Sequence, residues 1–168
     1  MAGALIITAR IGATDFAWLD QLRSAHYPPE RNQVPAHLTL FHALPPSSER
    51  EVRTALARRS SDPPPRATIE GLMDLGSGVA FRIVSGDLDR LRRALADEFH
   101  GLLSAQDGQG WQPHVTIQNK VARKEAQQLL AKLQGQFRRR PLAISGLGLH
   151  RYLNGPWKDL AFVSFWGS

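Results

Sequence analysis

Two short stretches, Ala36-His37-Leu38-Thr39-Leu40 and Pro113-His114-Val115-Thr116-Ile117, share one pattern. Each is His-x-Thr with an apolar residue at x and another after the threonine. In an extended strand, residues i and i+2 project from the same face. His37 and Thr39 therefore point together, as do His114 and Thr116, while Leu38, Leu40, Val115 and Ile117 turn toward a core. With six His and six Thr in 168 residues, composition alone yields about 0.2 such triplets, and two arise in roughly 2% of shuffled sequences. The flanking apolar positions lower that to well under about 1%. A single motif is explained well enough as a satisfied core histidine beside a β-branched strand former; a matched pair is not.

The chain around the motifs repeats an order of elements. A strand over 3–11 precedes a helix capped by Thr14, with Trp18, Leu19, Leu22 and Ala25 on one stripe, closed by Pro28-Pro29. The first motif lies in a strand over 36–44, and Ser48 with Glu51 predicts a capping box for a helix to about Arg59. Strands over 66–75 and 79–85 meet at Gly76-Ser77-Gly78, a hairpin signal. A helix over 87–103, the motif strand over 114–118, and a helix over 124–136 follow. Strands over 142–152 and 160–166, linked through Asn154-Gly155-Pro156-Trp157, complete the chain. The motif histidines are 114 − 37 = 77 residues apart, so the sequence reads as one domain, 1–168, of two like lobes with little residue identity between them. Lobes related in this way bring equivalent strands together across a cleft, the usual place for a ligand.

Composition narrows the function. Apolar residues are 42% and charged ones 21%, a globular balance. No apolar run reaches the roughly 18 residues of a membrane helix, and Leu5-Ile6-Ile7 is too short for a secretory core, so a cytoplasmic, membrane-free protein is expected. Cysteine is absent, which removes disulfide scaffolds, thiolate metal sites and cysteine nucleophiles. The net charge of +6 favours an anionic partner such as RNA or a phosphorylated small molecule. Gly76 and Gly78 are not followed by Lys-Ser/Thr, so no P-loop is indicated.

Two imidazoles suit a reaction that needs one base and one acid near neutrality. Phosphodiester cleavage is such a reaction: one histidine takes a proton from the attacking oxygen and the other supplies the leaving oxygen. Thr39 and Thr116 can donate hydrogen bonds to the non-bridging phosphoryl oxygens. No carboxylate neighbours either histidine in sequence, so neither a metal nor any other cofactor is expected.

The motifs His37-Leu38-Thr39 and His114-Val115-Thr116, with the stretches 28–32, 37–45, 113–121 and 155–157, resemble the two-histidine (2H) phosphoesterase superfamily. The likeness is to bacterial proteins of the 2'-5' RNA ligase / RNA 2',3'-cyclic phosphodiesterase type, and it spans nearly the whole chain. It implies a bilobal, pseudo-symmetric α+β fold, two antiparallel sheets lining a central cleft with helices outside. It implies opening of 2',3'-cyclic phosphates on RNA ends or nucleotides to a 2'-phosphate, with 2'-5' ligation in some members. On the matching positions, His114 is the base toward water and His37 protonates the departing 3' oxygen; the spacing itself does not distinguish the two. A monomer is expected. The alternatives are a non-catalytic RNA- or phosphate-binding module and a cyclic phosphodiesterase acting on a sugar-nucleotide.

Further substrate-binding candidates are Arg31, in a proline-bounded loop before the first motif, Trp111, and His150 and Tyr152 in a late strand. Tyr27 and Trp157 are additional surfaces on which a base can stack. His42 is assigned a structural role, His26 and His100 a place on the surface, and Arg138-Arg139-Arg140 either RNA attraction or helix-dipole complementation.

Overall fold

The computed structural model describes residues 3–167. Strand β1 (Leu5–Ile11) leads to helix α1 (Ala13–His26), strand β2 (Leu38–Leu44) and helix α2 (Glu49–Ala57). Strands β3 (Arg66–Asp74) and β4 (Val79–Val84) precede helix α3 (Gly86–Glu98), strand β5 (His114–Gln118) and helix α4 (Arg123–Gln136); strands β6 (Arg140–Tyr152) and β7 (Trp157–Ser164) close the chain. Every strand pairing is antiparallel. The strand order is β2-β1-β6-β3-β4-β5, with β7 also on β6. Strand β6 is long enough to serve two leaves. Its first residues pair with β3, and the rest run between β1 and β7. The motif strands β2 and β5 thus occupy the two ends of the order, each beside a strand that starts its own β-α-β-α-β unit.

The core follows from alternation. Leu38, Leu40, Val115 and Ile117 are fully buried, as a strand's core-facing residues must be. Phe81 of β4 receives Trp18 of α1 and Phe137 just after α4, with ring centroids at 5.3 and 6.2 Å. Phe41 of β2 meets Phe99 edge-on at 5.6 Å just beyond α3, a favoured aromatic geometry.

Several boundaries differ from the sequence reading. Helix α1 begins at Ala13 with Gly12 at the cap, so Thr14 lies within its first turn and caps nothing. The Ser48 capping box is not formed; a 3-10 turn over Pro46–Ser48 intervenes, and the Ser48 hydroxyl donates back to the Pro45 carbonyl at 2.6 Å. Helix α3 is capped by Ser85, whose Oγ accepts from Leu88 N at 3.0 Å, and ends at Glu98. The Leu-rich periodicity through 103 continues into turns rather than helix. Strand β7 starts at Trp157, earlier than its apolar run, because its half-exposed residues are held by pairing with β6. The β3–β4 hairpin forms as read: Gly76 takes φ +80°, and its N–H donates to Asp74 Oδ1 at 2.8 Å, a conformation that suits glycine.

Candidate active site

Register places the first motif. Thr39 stands opposite Thr8 of β1, and Leu38 opposite Ala9. A bulge follows, pairing Phe41 with Ile7. His37 itself lies just before β2. On the other leaf, His114 pairs with Arg82 and Thr116 with Ala80. Helix α1 braces both motifs: Asp20 Oδ1 accepts from Ala36 N at 2.9 Å, and Arg23 Nη1 donates to the Thr116 carbonyl at 2.9 Å. From the second leaf, Trp111 Nε1 donates to the Thr39 carbonyl at 3.0 Å. The motif stretches are therefore held by three hydrogen bonds between their own backbones and side chains of neighbouring elements.

The two histidines are held alike. His37 Nδ1 contacts the Pro35 carbonyl at 2.8 Å, and His114 Nδ1 contacts the Gln112 carbonyl at 2.8 Å. A carbonyl only accepts, so Nδ1 carries the proton in both rings and Nε2 is left for chemistry. Among the described residues, neither Nε2 and neither threonine hydroxyl makes a hydrogen bond within the protein. Burial pushes the His37 imidazole down to about 4; the Pro35 carbonyl pulls it upward, while Arg23, His150 and His114 push it further down. Arg23 is buried, with its Nε on Asn32 Oδ1 at 2.8 Å and its guanidinium 4.2 Å from the Tyr27 ring, and burial lowers its own pKa.

His150 joins the site from β6. Its Nδ1 lies 2.7 Å from Asp159 Oδ1 and its Nε2 2.9 Å from Thr8 Oγ1. The carboxylate requires the proton on Nδ1, so in the neutral ring the Thr8 hydroxyl donates to Nε2. Gly148 makes this contact possible, since a Cβ there would lie 2.8 Å from both His150 Nε2 and Thr8 Oγ1. The Trp157 ring covers His37 and His150 together, at 4.6 and 5.3 Å between centroids. A cavity of about 1010 Å³ runs from His37, His150 and Trp157 along β1, β6 and β7. It reaches only the first motif; Thr39, His114 and Thr116 are outside its lining. Among the described residues, no group of three or more His, Cys, Asp or Glu side chains is placed to hold a metal ion.

The structure therefore brings His37, His150 and Trp157 to the cavity, while His114 lies outside its lining. It does not bring Arg31 or Tyr152 there; both are exposed outside its lining. Trp111 is half-buried, used as a tie between the leaves with Arg92 over its ring at 5.7 Å. Tyr27 is buried beneath Arg23 rather than open for stacking. His42 is structural, hydrogen-bonded through N and Nδ1 to the buried Asp107 at 2.8 and 3.2 Å. Burial pulls Asp107 upward, but the bonds from His42 and Ala43 outweigh it and hold the carboxylate low. Of the arginine run, Arg139 pairs with Glu70 and Arg140 with Asp15. The sequence reading passed over Thr8, Arg23 and Asp159. Arg23 had one signal, a cation four residues after Leu19 on the apolar stripe of α1.

The model of the 2'-5' RNA ligase superfamily matches residues 13–156. The chain belongs to that superfamily. The match bears out the two-histidine phosphoesterase resemblance and carries with it a phosphoesterase-type function on phosphodiester bonds. Solved structures agree in fold. The Thermus thermophilus protein TT0787 superposes with a TM-score of 0.67 at 18% identity, covering 98% of this chain and 99% of that one. Escherichia coli LigT complexed with 3'-AMP gives 0.64 at 17%, also covering 98% and 99%, and LigT complexed with NADP+ gives 0.61 at 16%, with the same coverage. No curated protein matches the chain significantly. Among the described residues, no helix is long and apolar enough to cross a membrane.

Proposed function

We propose that this protein is a metal-independent phosphodiesterase that opens 2',3'-cyclic phosphates of RNA ends or nucleotides to a 2'-phosphate. The supporting observation is the matched pair of Nδ1–carbonyl bonds, which leaves the Nε2 atom of each motif histidine uncommitted. Following the superfamily resemblance, His114 Nε2 takes a proton from water as the water oxygen bonds to phosphorus. The P–O3' bond breaks, and His37 Nε2–H delivers its proton to O3', giving a 2'-phosphate and a 3'-hydroxyl. Thr39 and Thr116 hold the non-bridging oxygens where negative charge must be stabilised. His37 is neutral in the free protein at pH 7, so it takes up this proton as the anionic substrate enters. A 5'-hydroxyl in place of water gives a 2'-5' linkage through the same groups. The protein acts as a monomer in the cytoplasm.

The test is turnover of 2',3'-cyclic nucleotides in excess chelator, with the product identified by phosphorus NMR. The expected product is the 2'-phosphate, and His37→Ala and His114→Ala are each expected to lose about 10²- to 10⁴-fold in rate. No turnover of any cyclic phosphate by folded protein, or wild-type rates in either variant, overturns the proposal. Salt-sensitive RNA binding without turnover would instead mark a binding module.

A further inference from the structure

The cavity continues well past the reacting groups, and its far end is built differently from its near end. At the near end stand His37, His150 and Trp157. Two residues further along β6 lies Phe162, and four residues further, or roughly 13 Å of strand, lie Arg10 and Ser164; all three also line it. Gly146 pairs with Arg10 on one side and Ser164 on the other, and Gly148 pairs with Phe162. A Cβ on Gly146 would fall 2.6 Å from the Phe162 ring, so the ring rests on bare backbone. The Arg10 guanidinium covers the ring at 3.8 Å from its centroid. Arg10 is exposed, and among the described residues no carboxylate pairs with it; Phe162 is 44% exposed. The result is a layered platform of backbone, phenyl ring and guanidinium.

Such a platform suits a nucleobase, because bases stack on aromatic rings and on arginine planes, and the same guanidinium can meet a phosphate. Among the described residues, the only carboxylate in the lining, Asp159, is at the near end and committed to His150. A 2',3'-cyclic phosphate terminates a chain, so the remainder of an RNA leaves from the 5' side. We propose that the Arg10–Phe162 platform binds the nucleotide 5' to the one bearing the cyclic phosphate, making an RNA end a better substrate than a mononucleotide. This rests on the proposed reaction and assigns its substrate class.

The experiment compares kcat/KM for a 2',3'-cyclic mononucleotide with that for a dinucleotide carrying the same terminal group, in wild type, Phe162→Ala and Arg10→Gln. Wild type is expected to prefer the dinucleotide on the order of tenfold, and each variant to bring the ratio toward one. The mononucleotide rate within each variant monitors folding. Equal use of both substrates by wild type, or an unchanged ratio in both variants, overturns the proposal. If neither substrate reacts, the proposed reaction fails, and the platform is judged by calorimetry with the 2'-phosphate mono- and dinucleotides. The same roughly tenfold preference, lost in the variants, upholds it; equal affinities overturn it.

Discussion

His37 must titrate far below an ordinary histidine, and its indole cover provides the way to test why. The ring's largest perturbation is removal from water, with Arg23, His150 and His114 acting in the same direction and the Pro35 carbonyl opposing. From 6.5 to about 4 corresponds to about 3 kcal/mol in favour of the neutral ring, an upper figure because the residue keeps partial exposure at the cleft. At pH 6.5 about one molecule in three hundred then carries the His37 proton, against one in two for an unperturbed ring. Between about 4 and 6.5 the unfolded chain binds the proton that the folded chain refuses, so His37's contribution to stability is fully present above that window. It is lost as pH falls through the window. Trp157→Ala removes the indole 4.6 Å from the ring and admits water, so the midpoint is expected to rise by about one pH unit. The assay is an NMR titration of the His37 ring, assigned by comparison with His37→Gln. A free-protein midpoint at or above 6.5, or one that does not rise in Trp157→Ala, refutes the reasoning.

Other consequences follow from particular contacts. Gly148→Ala places a methyl against Thr8 Oγ1 and His150 Nε2, so it is expected to displace the His150 ring and lower turnover while the melting transition stays cooperative. Chemical shifts of the His150 ring check the displacement. Asp107→Ala leaves the N–H groups of His42 and Ala43, which donate to it at 2.8 and 2.9 Å, without an acceptor, at a cost of about 2–4 kcal/mol in denaturant unfolding. Trp111→Phe keeps an aromatic ring, though a smaller one, and removes the bond to the Thr39 carbonyl; a loss of at least about 1 kcal/mol is expected in the same assay.

The period-two pattern around both motifs made the core faces of β2 and β5 legible, because alternation is a local property of an extended chain. The duplicated His-x-Thr also carried the inference that two distant strands cooperate. Helix ends were less legible. Ser48 and Glu51 have the spacing of a capping box, yet the Pro45-Pro46 turn claims the Ser48 hydroxyl. The rest of the site depends on tertiary register. Thr8 and Asp159 converge on His150 only because β6 has β1 on one side and β7 on the other. Arg31 and Trp111 looked plausible for the complementary reason. Sequence proximity to a motif does not say which way a loop side chain turns, and the Trp111 indole turns inward to hold a carbonyl.

Whether His37 and His114 serve one phosphate is measured directly by titrating protein labelled with nitrogen-15 in its histidines. With adenosine 2'-phosphate as the probe, both Nε2 resonances are expected to move and to saturate at a single shared affinity. A shift of one ring alone, or two shifts that saturate at different concentrations, would contradict a shared phosphate.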